Sequence, residues 1–231
     1  MEDLDLIKAC KDGDLAKVKE LIEKGACIDA KDNDGNTVLM CALNIGRIDI
    51  AEYLIEKGAN IDAKNYSGAT ALVIASSYGS HYGYYKVVEY LLEKGADINI
   101  TNKSNATALI EASSNGDLGI VELLLKEIEK GKKVDIDAKD NYGFSALMYA
   151  SNKKLIDIAE CLIEKGADIN TKDKNGWTPL IWASKEGYLE IVKLLIEKGA
   201  NVNAKTNNGA TALDLAKKEE IKKLLKEAMD R

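Results

Sequence analysis

Apolar residues in this chain come in short bursts at helical spacing, and each burst is closed by the same few polar residues. Around Ile48 to Lys57, the residues Ile50, Leu54 and Ile55 share one face of a predicted helix. The phrase Ile-Glu-Lys-Gly-Ala then recurs at Ile22 to Ala26, Ile55 to Ala59, Ile163 to Ala167 and Ile196 to Ala200, with Leu92 to Ala96 as a variant. Gly25 and Gly58 stand 33 residues apart, as do Gly166 and Gly199. A second phrase, Thr-x-Leu or Ser-Ala-Leu, sets Leu39, Leu72, Leu109, Leu147, Leu180 and Leu213 at spacings of 33, 37, 38, 33 and 33. A fixed period of this size predicts stacked supersecondary units.

One period can be read residue by residue. Asp32-Asn33-Asp34-Gly35 is a run of turn formers, and Gly35 suits a positive φ. Thr37 is predicted to cap a helix by accepting a free backbone N–H, and Thr70, Thr107, Ser145, Thr178 and Thr211 occupy the same place. A short helix follows, with Leu39 and Ala42 on one face, and then a second helix that Gly58 closes as a left-handed cap. Such a unit cannot cover its own apolar face, so neighbours must stack on it. Ala42, Ala75, Ala112, Ala150 and Ala183 are small where adjacent helices have to approach closely.

These motifs resemble the ankyrin repeat family, whose pattern runs D-x-x-G-x-T-P-L-H-x-A and closes with L-L-x-x-G-A-D-V-N-A. The best match is Asp173 to Ala183, closing with Leu194 to Ala204. The resemblance covers essentially the whole chain. It implies an all-α solenoid of helix–turn–helix units with short β-turn fingers, one domain over residues 1–231. The expected units are about 1–31, 32–64, 65–101, 102–139, 140–172, 173–205 and 206–231. The first unit lacks its turn. The last is expected to have a shortened second helix, with Lys217, Lys218, Lys222 and Lys223 on a polar outer face, so the array reads as capped at both ends.

The chain departs from the family pattern in three ways. Proline at the first helical position occurs only at Pro179. The family's histidine is replaced by Met40, Val73, Ile110, Met148, Ile181 and Asp214, which removes a hydrogen bond and is expected to lower stability. Two units are longer: one by four residues near Ser80-His81-Tyr82-Gly83, the other by five within Lys126 to Val134, where about a turn of extra helix is expected.

Composition removes several function classes. The net charge of −6 and the mixing of lysines with glutamates leave no basic footprint for nucleic acid. The N-terminus is acidic, with no apolar run of a signal peptide, and no stretch approaches the length of a membrane helix. Cys10, Cys27, Cys41 and Cys161 form no C-x-x-C pair, and His81 is the one histidine. Zinc spacing and nucleophile–base pairs are therefore missing, and free thiols in the cytoplasm are expected. Asp29, Asp62, Asp97 and Asp137 recur once per unit, which marks them as structural. No catalytic site, metal or cofactor is expected.

The resemblance implies a binding surface made of turn tips and the exposed side of each first helix. Carried onto this chain, that concave face comprises Asn33, Asp34, Asn36, Tyr66, Lys103, Asn141, Tyr142, Phe144, Tyr149, Lys174, Trp177 and Trp182. Aromatic residues cluster toward one part of it: Tyr142, Phe144, Tyr149, Trp177, Trp182 and Tyr188 include both tryptophans and the one phenylalanine. Aromatics are favoured interface anchors. A second tyrosine group, Tyr78, Tyr82, Tyr84 and Tyr85, flanks the first insertion and suits either a contact or packing over the longer loop. The expected function is a non-catalytic, monomeric scaffold or adaptor binding an unidentified protein. The alternative is a regulatory or targeting module of an enzyme, or a secreted effector.

Overall fold

The structure, a computed structural model, describes residues 2–79 and 83–230. The chain divides into two compact units, Met1–Asn115 and Gly116–Arg231. Among the described residues both units are all-helical. The first holds α1 (Glu2–Asp12), α2 (Leu15–Glu23), α3 (Val38–Asn44), α4 (Ile48–Glu56), α5 (Ala71–Tyr78), α6 (Tyr84–Glu93) and α7 (Ala108–Asn115). The second holds α8 (Leu118–Glu129), α9 (Ala146–Asn152), α10 (Ile156–Glu164), α11 (Pro179–Glu186), α12 (Leu189–Glu197), α13 (Ala212–Leu215) and α14 (Glu219–Met229).

Local sequence explains where the helices start. The hydroxyls of Thr37, Thr70, Thr107, Ser145, Thr178 and Thr211 each accept the backbone N–H three residues on, at 3.3–3.4 Å. Each such cap contributes about 1 kcal/mol. Pro179 stands at the first position of α11, where no N–H is needed. Asp14 and Asp117 cap α2 and α8 with their carboxylates.

In the first unit, α1, α3, α5 and α7 pack in one row and α2, α4 and α6 in another. In the second, α9, α11 and α13 form one row and α8, α10, α12 and α14 the other. Ala42, Ala75, Ala112, Ala150 and Ala183 are all fully buried in the first-helix rows. Leu54, Leu91, Leu124, Leu162 and Leu195 are fully buried on the second helices, each contributing about 2 kcal/mol. Met40, Val73, Ile110, Met148 and Ile181, at the family's histidine position, are buried too, so packing stands in for the missing polar tie.

Polar rungs join successive helix pairs within each unit. Asp29 accepts the amide of Asn60 at 2.8 Å, and Asp62 that of Asp97 at 3.0 Å. Asp137 accepts the amide of Asp168 at 2.8 Å, and Asn170 that of Asn201 at 2.7 Å. The Nζ of Lys31, Lys139 and Lys172 donate to the carbonyls of Lys64, Lys172 and Lys205. Three of the once-per-unit carboxylates thus accept an amide of the next repeat, and Asp97 accepts the Asn99 amide within its own.

The second insertion lengthens α8 to 12 residues, against 9 for α10 and α12. Glu127, 1% exposed, anchors the extra turn by pairing with Lys130 at 2.6 Å and Lys132 at 2.5 Å. Of the first insertion, Ser80, His81 and Tyr82 lie outside the described residues. Tyr84 is buried and donates its hydroxyl to the Leu43 carbonyl, with Tyr78 stacked on its ring at 5.2 Å. At the C-terminal end the sequence expectation needs correction: the first helix is the short one. α13 has 4 residues and α14 has 11. Ala216 turns extended, with ψ 125°, so α13 stops where the other first helices continue for another turn.

Candidate functional site

The fingers are built on a side chain that bonds its own turn. Asp140 Oδ1 accepts the amides of Tyr142 and Phe144, both at 2.9 Å. Asp173 Oδ1 accepts those of Asn175 at 2.8 Å and Trp177 at 2.9 Å. Asp32, Asn65 and Asn102 do the same in the first unit. Burial pushes the Asp32 carboxyl up, but the Lys11 ammonium and the amides of Asn36 and Asp34 outweigh it and hold the group at about 2.

Successive fingers lie close together. In the first unit the ring of Tyr66 lies against Gly35, within 2.6 Å of where a Cβ would be, and the Tyr66 amide donates to the Asp34 carbonyl. Gly35 has φ 75°, so both space and backbone demand glycine there. In the second unit a Cβ on Gly143 would come within 2.8 Å of the Lys174 nitrogen.

Among the expected site residues of the first unit, Asn33, Asp34, Tyr66 and Lys103 are exposed on the fingers. Asn36 is buried instead, and its Oδ1 accepts the Asn65 amide at 2.8 Å, tying two fingers together. In the second unit Asn141, Tyr142 and Lys174 stand exposed at the tips, Tyr142 at 72%.

Phe144, Tyr149, Trp177 and Trp182 are half-buried and come together in a continuous row. Phe144 lies 5.2 Å from Tyr149 and 5.1 Å from Trp182, and Trp182 lies 4.4 Å from Trp177, between ring centroids. All three pairs are tilted, a favourable arrangement of ring quadrupoles. Two polar ends of the row are bonded within the chain. The Tyr149 hydroxyl donates to Asp140 Oδ2 at 2.6 Å, and the Trp182 indole N–H donates to Asp173 Oδ2 at 3.2 Å. Each aromatic residue is nine positions after the aspartate it bonds. Asp140 and Asp173, both buried, thus hold two of the four rings in place.

Two ammonium groups cover parts of it. Lys185 Nζ lies 4.9 Å from the centroids of both Trp177 and Trp182, and Lys153 Nζ lies 5.5 Å from that of Tyr149. Sequence reading missed Asp140, Asp173, Lys153 and Lys185. A signal was present, an aspartate nine residues before an aromatic and a lysine three or four after it.

Among the described residues no group of three or more His, Cys, Asp or Glu side chains is placed to hold a metal ion. No helix of the described residues is long and apolar enough to cross a membrane.

Paired helices in register, capped alike and joined by self-bonded fingers, define a tandem helical-repeat protein. The profile of ankyrin repeats in three copies matches residues 6–102, 80–173 and 166–230. The chain belongs to the ankyrin repeat family, whose members are in general non-catalytic interaction modules. Solved structures agree. The ankyrin repeat domain of human ASB11 matches with a TM-score of 0.79 and 28% identity, over 96% of each chain. The ankyrin repeat domain of Bcl-3, a member of the IkappaB protein family, gives 0.82 and 27%, over 96% of this chain and 97% of that one. The ankyrin repeat protein EF0377 gives 0.76 and 33%, over 87% of this chain and all of its own. No curated protein sequence matches the chain.

Proposed function

We propose that this protein is a non-catalytic scaffold or adaptor that grips a protein partner on its finger and first-helix side, the concave face in the sense of the family. The anchor is the row Tyr149–Phe144–Trp182–Trp177, with Tyr142 and Lys174 at the neighbouring tips. The observation that carries this reading is the row itself. Four large rings are left half-exposed on a rigid frame, and the polar ends of Tyr149 and Trp182 are already satisfied by Asp140 and Asp173. Rigid aromatic surface of this kind gains binding energy with little loss of side-chain freedom. Work as a monomer in the cytoplasm belongs to the same reading; the four free thiols fit the reducing compartment.

The test is capture from a cell extract on the immobilised chain, comparing wild type with F144A/W177A. Partners are expected to be lost from the variant while its far-ultraviolet helical signal stays intact. Full retention of partners by the variant would refute the placement.

A further inference from the structure

Asparagine followed by glycine is the dipeptide most prone to lose its side-chain amide, because glycine has no Cβ to shield its backbone nitrogen from the neighbouring carboxamide. The chain carries three such pairs: Asn115-Gly116, Asn175-Gly176 and Asn208-Gly209. The fold holds them differently. Asn115 ends α7, and its Nδ2 donates to the Ser77 carbonyl at 2.7 Å. Asn175 lies in the finger that Asp173 closes through two amides and the Trp182 indole. The following finger clamps it. The Asn207 amide donates to the Asn175 carbonyl and Asn207 Nδ2 to the Lys174 carbonyl, both at 2.9 Å. Gly176 is buried beneath that clamp, with Asn207 Oδ1 2.5 Å from where a Cβ would be.

Asn208 and Gly209 are both exposed, and among the described residues nothing lies within 4 Å of a Cβ built on Gly209. Their finger is closed by Thr206, whose hydroxyl accepts one amide, that of Ala210, at 3.1 Å. Among the described residues the Asn208 carboxamide has no hydrogen-bond partner. The Gly176 amide donates to the Asp173 carbonyl at 3.0 Å and the Gly209 amide to the Thr206 carbonyl at 2.9 Å, so either turn must open before its glycine nitrogen can attack. Opening the Asn175 finger breaks the Asp173 bonds and the clamp. Opening the Asn208 finger breaks neither.

We propose that Asn208 is a site of spontaneous deamidation in the folded chain, and that the fold protects Asn115 and Asn175. The Gly209 nitrogen attacks Asn208 Cγ and a C–N bond forms. The side-chain nitrogen leaves as ammonia, carrying away the proton that the Gly209 nitrogen gives up. Water then opens the succinimide ring on one side or the other, giving aspartate or isoaspartate. Water is the one co-reactant, and nothing is oxidised or reduced. Either product adds a carboxylate to this finger, and isoaspartate also lengthens its backbone by a carbon.

The experiment ages the full chain in mildly alkaline buffer, with and without urea, and follows the amide-to-acid mass gain by peptide mapping. The three asparagines fall in separate tryptic peptides. Methyl transfer by a protein isoaspartyl methyltransferase gives a second readout. In the native chain Asn208 is expected to react roughly tenfold faster than Asn175 or Asn115, and in urea the three rates should converge to within about threefold. N207A removes the side-chain part of the clamp and is expected to speed Asn175 about threefold while Asn115 stays slow. A native Asn208 no faster than the other two would overturn the proposal, as would rates that keep their native ratio in urea, which would place the cause in the sequence and not in the fold. An Asn175 rate in N207A equal to that of wild type, or a rise that Asn115 shares, would overturn it too.

Discussion

Trp182 and Asp173 are joined by an indole-to-carboxylate hydrogen bond of 3.2 Å that ties a first helix back to the finger preceding it. The same carboxylate holds that finger closed through the amides of Asn175 and Trp177. One aspartate therefore sets both the turn and the attitude of the ring above it.

Removing each part of this arrangement should cost different amounts. W182F keeps a ring but loses the bond, and is expected to destabilise by roughly 1 kcal/mol. D173A loses the indole bond and both amide bonds, and is expected to cost roughly 2–3 kcal/mol. Urea denaturation of the two variants checks this, and a D173A loss no larger than that of W182F would contradict the account.

Four serines run against the packing around them. Ser76, Ser113, Ser151 and Ser184 are fully buried, each just after the small alanine of its first helix, and their hydroxyls have no hydrogen-bond partner among the described residues. Replacing one with alanine removes a stranded polar group and improves helix propensity. S113A and S184A should each raise stability by about 1 kcal/mol. An unchanged or lower urea midpoint would show that those hydroxyls are satisfied after all.

The thiols should separate by reactivity. Burial, reinforced by the neighbouring Cys41, pushes the Cys10 thiol up to about 12. Burial, with Asp32 close by, does the same to Cys41. Cys27 is exposed and Cys161 half-buried. Under brief iodoacetamide treatment of the native protein, peptide mapping should find Cys27 alkylated first, with Cys10 and Cys41 protected until urea is added. Early labelling of Cys10 would mean that the α1–α3 packing opens in solution.

Acid should weaken the fold through depressed carboxylates. Asp32 titrates at about 2 in the folded chain, below the ordinary value of 3.8. Glu127 is pushed up by burial, but Lys130 and Lys132 outweigh that and hold it below its ordinary value. A carboxyl lowered on folding stabilises above its unfolded value, and that stabilisation is lost as pH falls toward the folded one. For Asp32 the contribution is on the order of 1–2 kcal/mol and disappears between about pH 4 and pH 2. Melting temperatures over that range should fall more steeply for wild type than for D32N. Parallel slopes would remove Asp32 as a cause.

Much of the fold could be read directly because single residues carry single jobs. A threonine three residues before the amide it accepts is recognisable wherever it occurs, and the alanines mark the close helix contacts without help from context. Relations that depend on how a finger folds back were not readable in the same way. Asn36 belongs to the concave face that the resemblance implies, yet its amide faces Asn65 of the next finger. The carboxylate bonds to Tyr149 and Trp182 span a turn and a helix start, and the nine-residue spacing that marks them follows neither a helix nor a strand period. The early end of α13 was missed because Ala216-Lys217-Lys218-Glu219-Glu220 has good helix formers throughout, and no glycine marks the break.

The rungs between helix pairs have a consequence for how such a chain can change length. Asp137 reaches Asp168 across 31 residues, and Asn170 reaches Asn201 across the same 31. Because both joints set a side-chain oxygen, a carboxylate in one and a carboxamide in the other, against a backbone amide at one separation, the stretch 140–172 is an interchangeable link. Copying it or excising it leaves every neighbouring rung with a mate, so growth and shrinkage by whole links are mechanically simpler here than the gain or loss of a few residues.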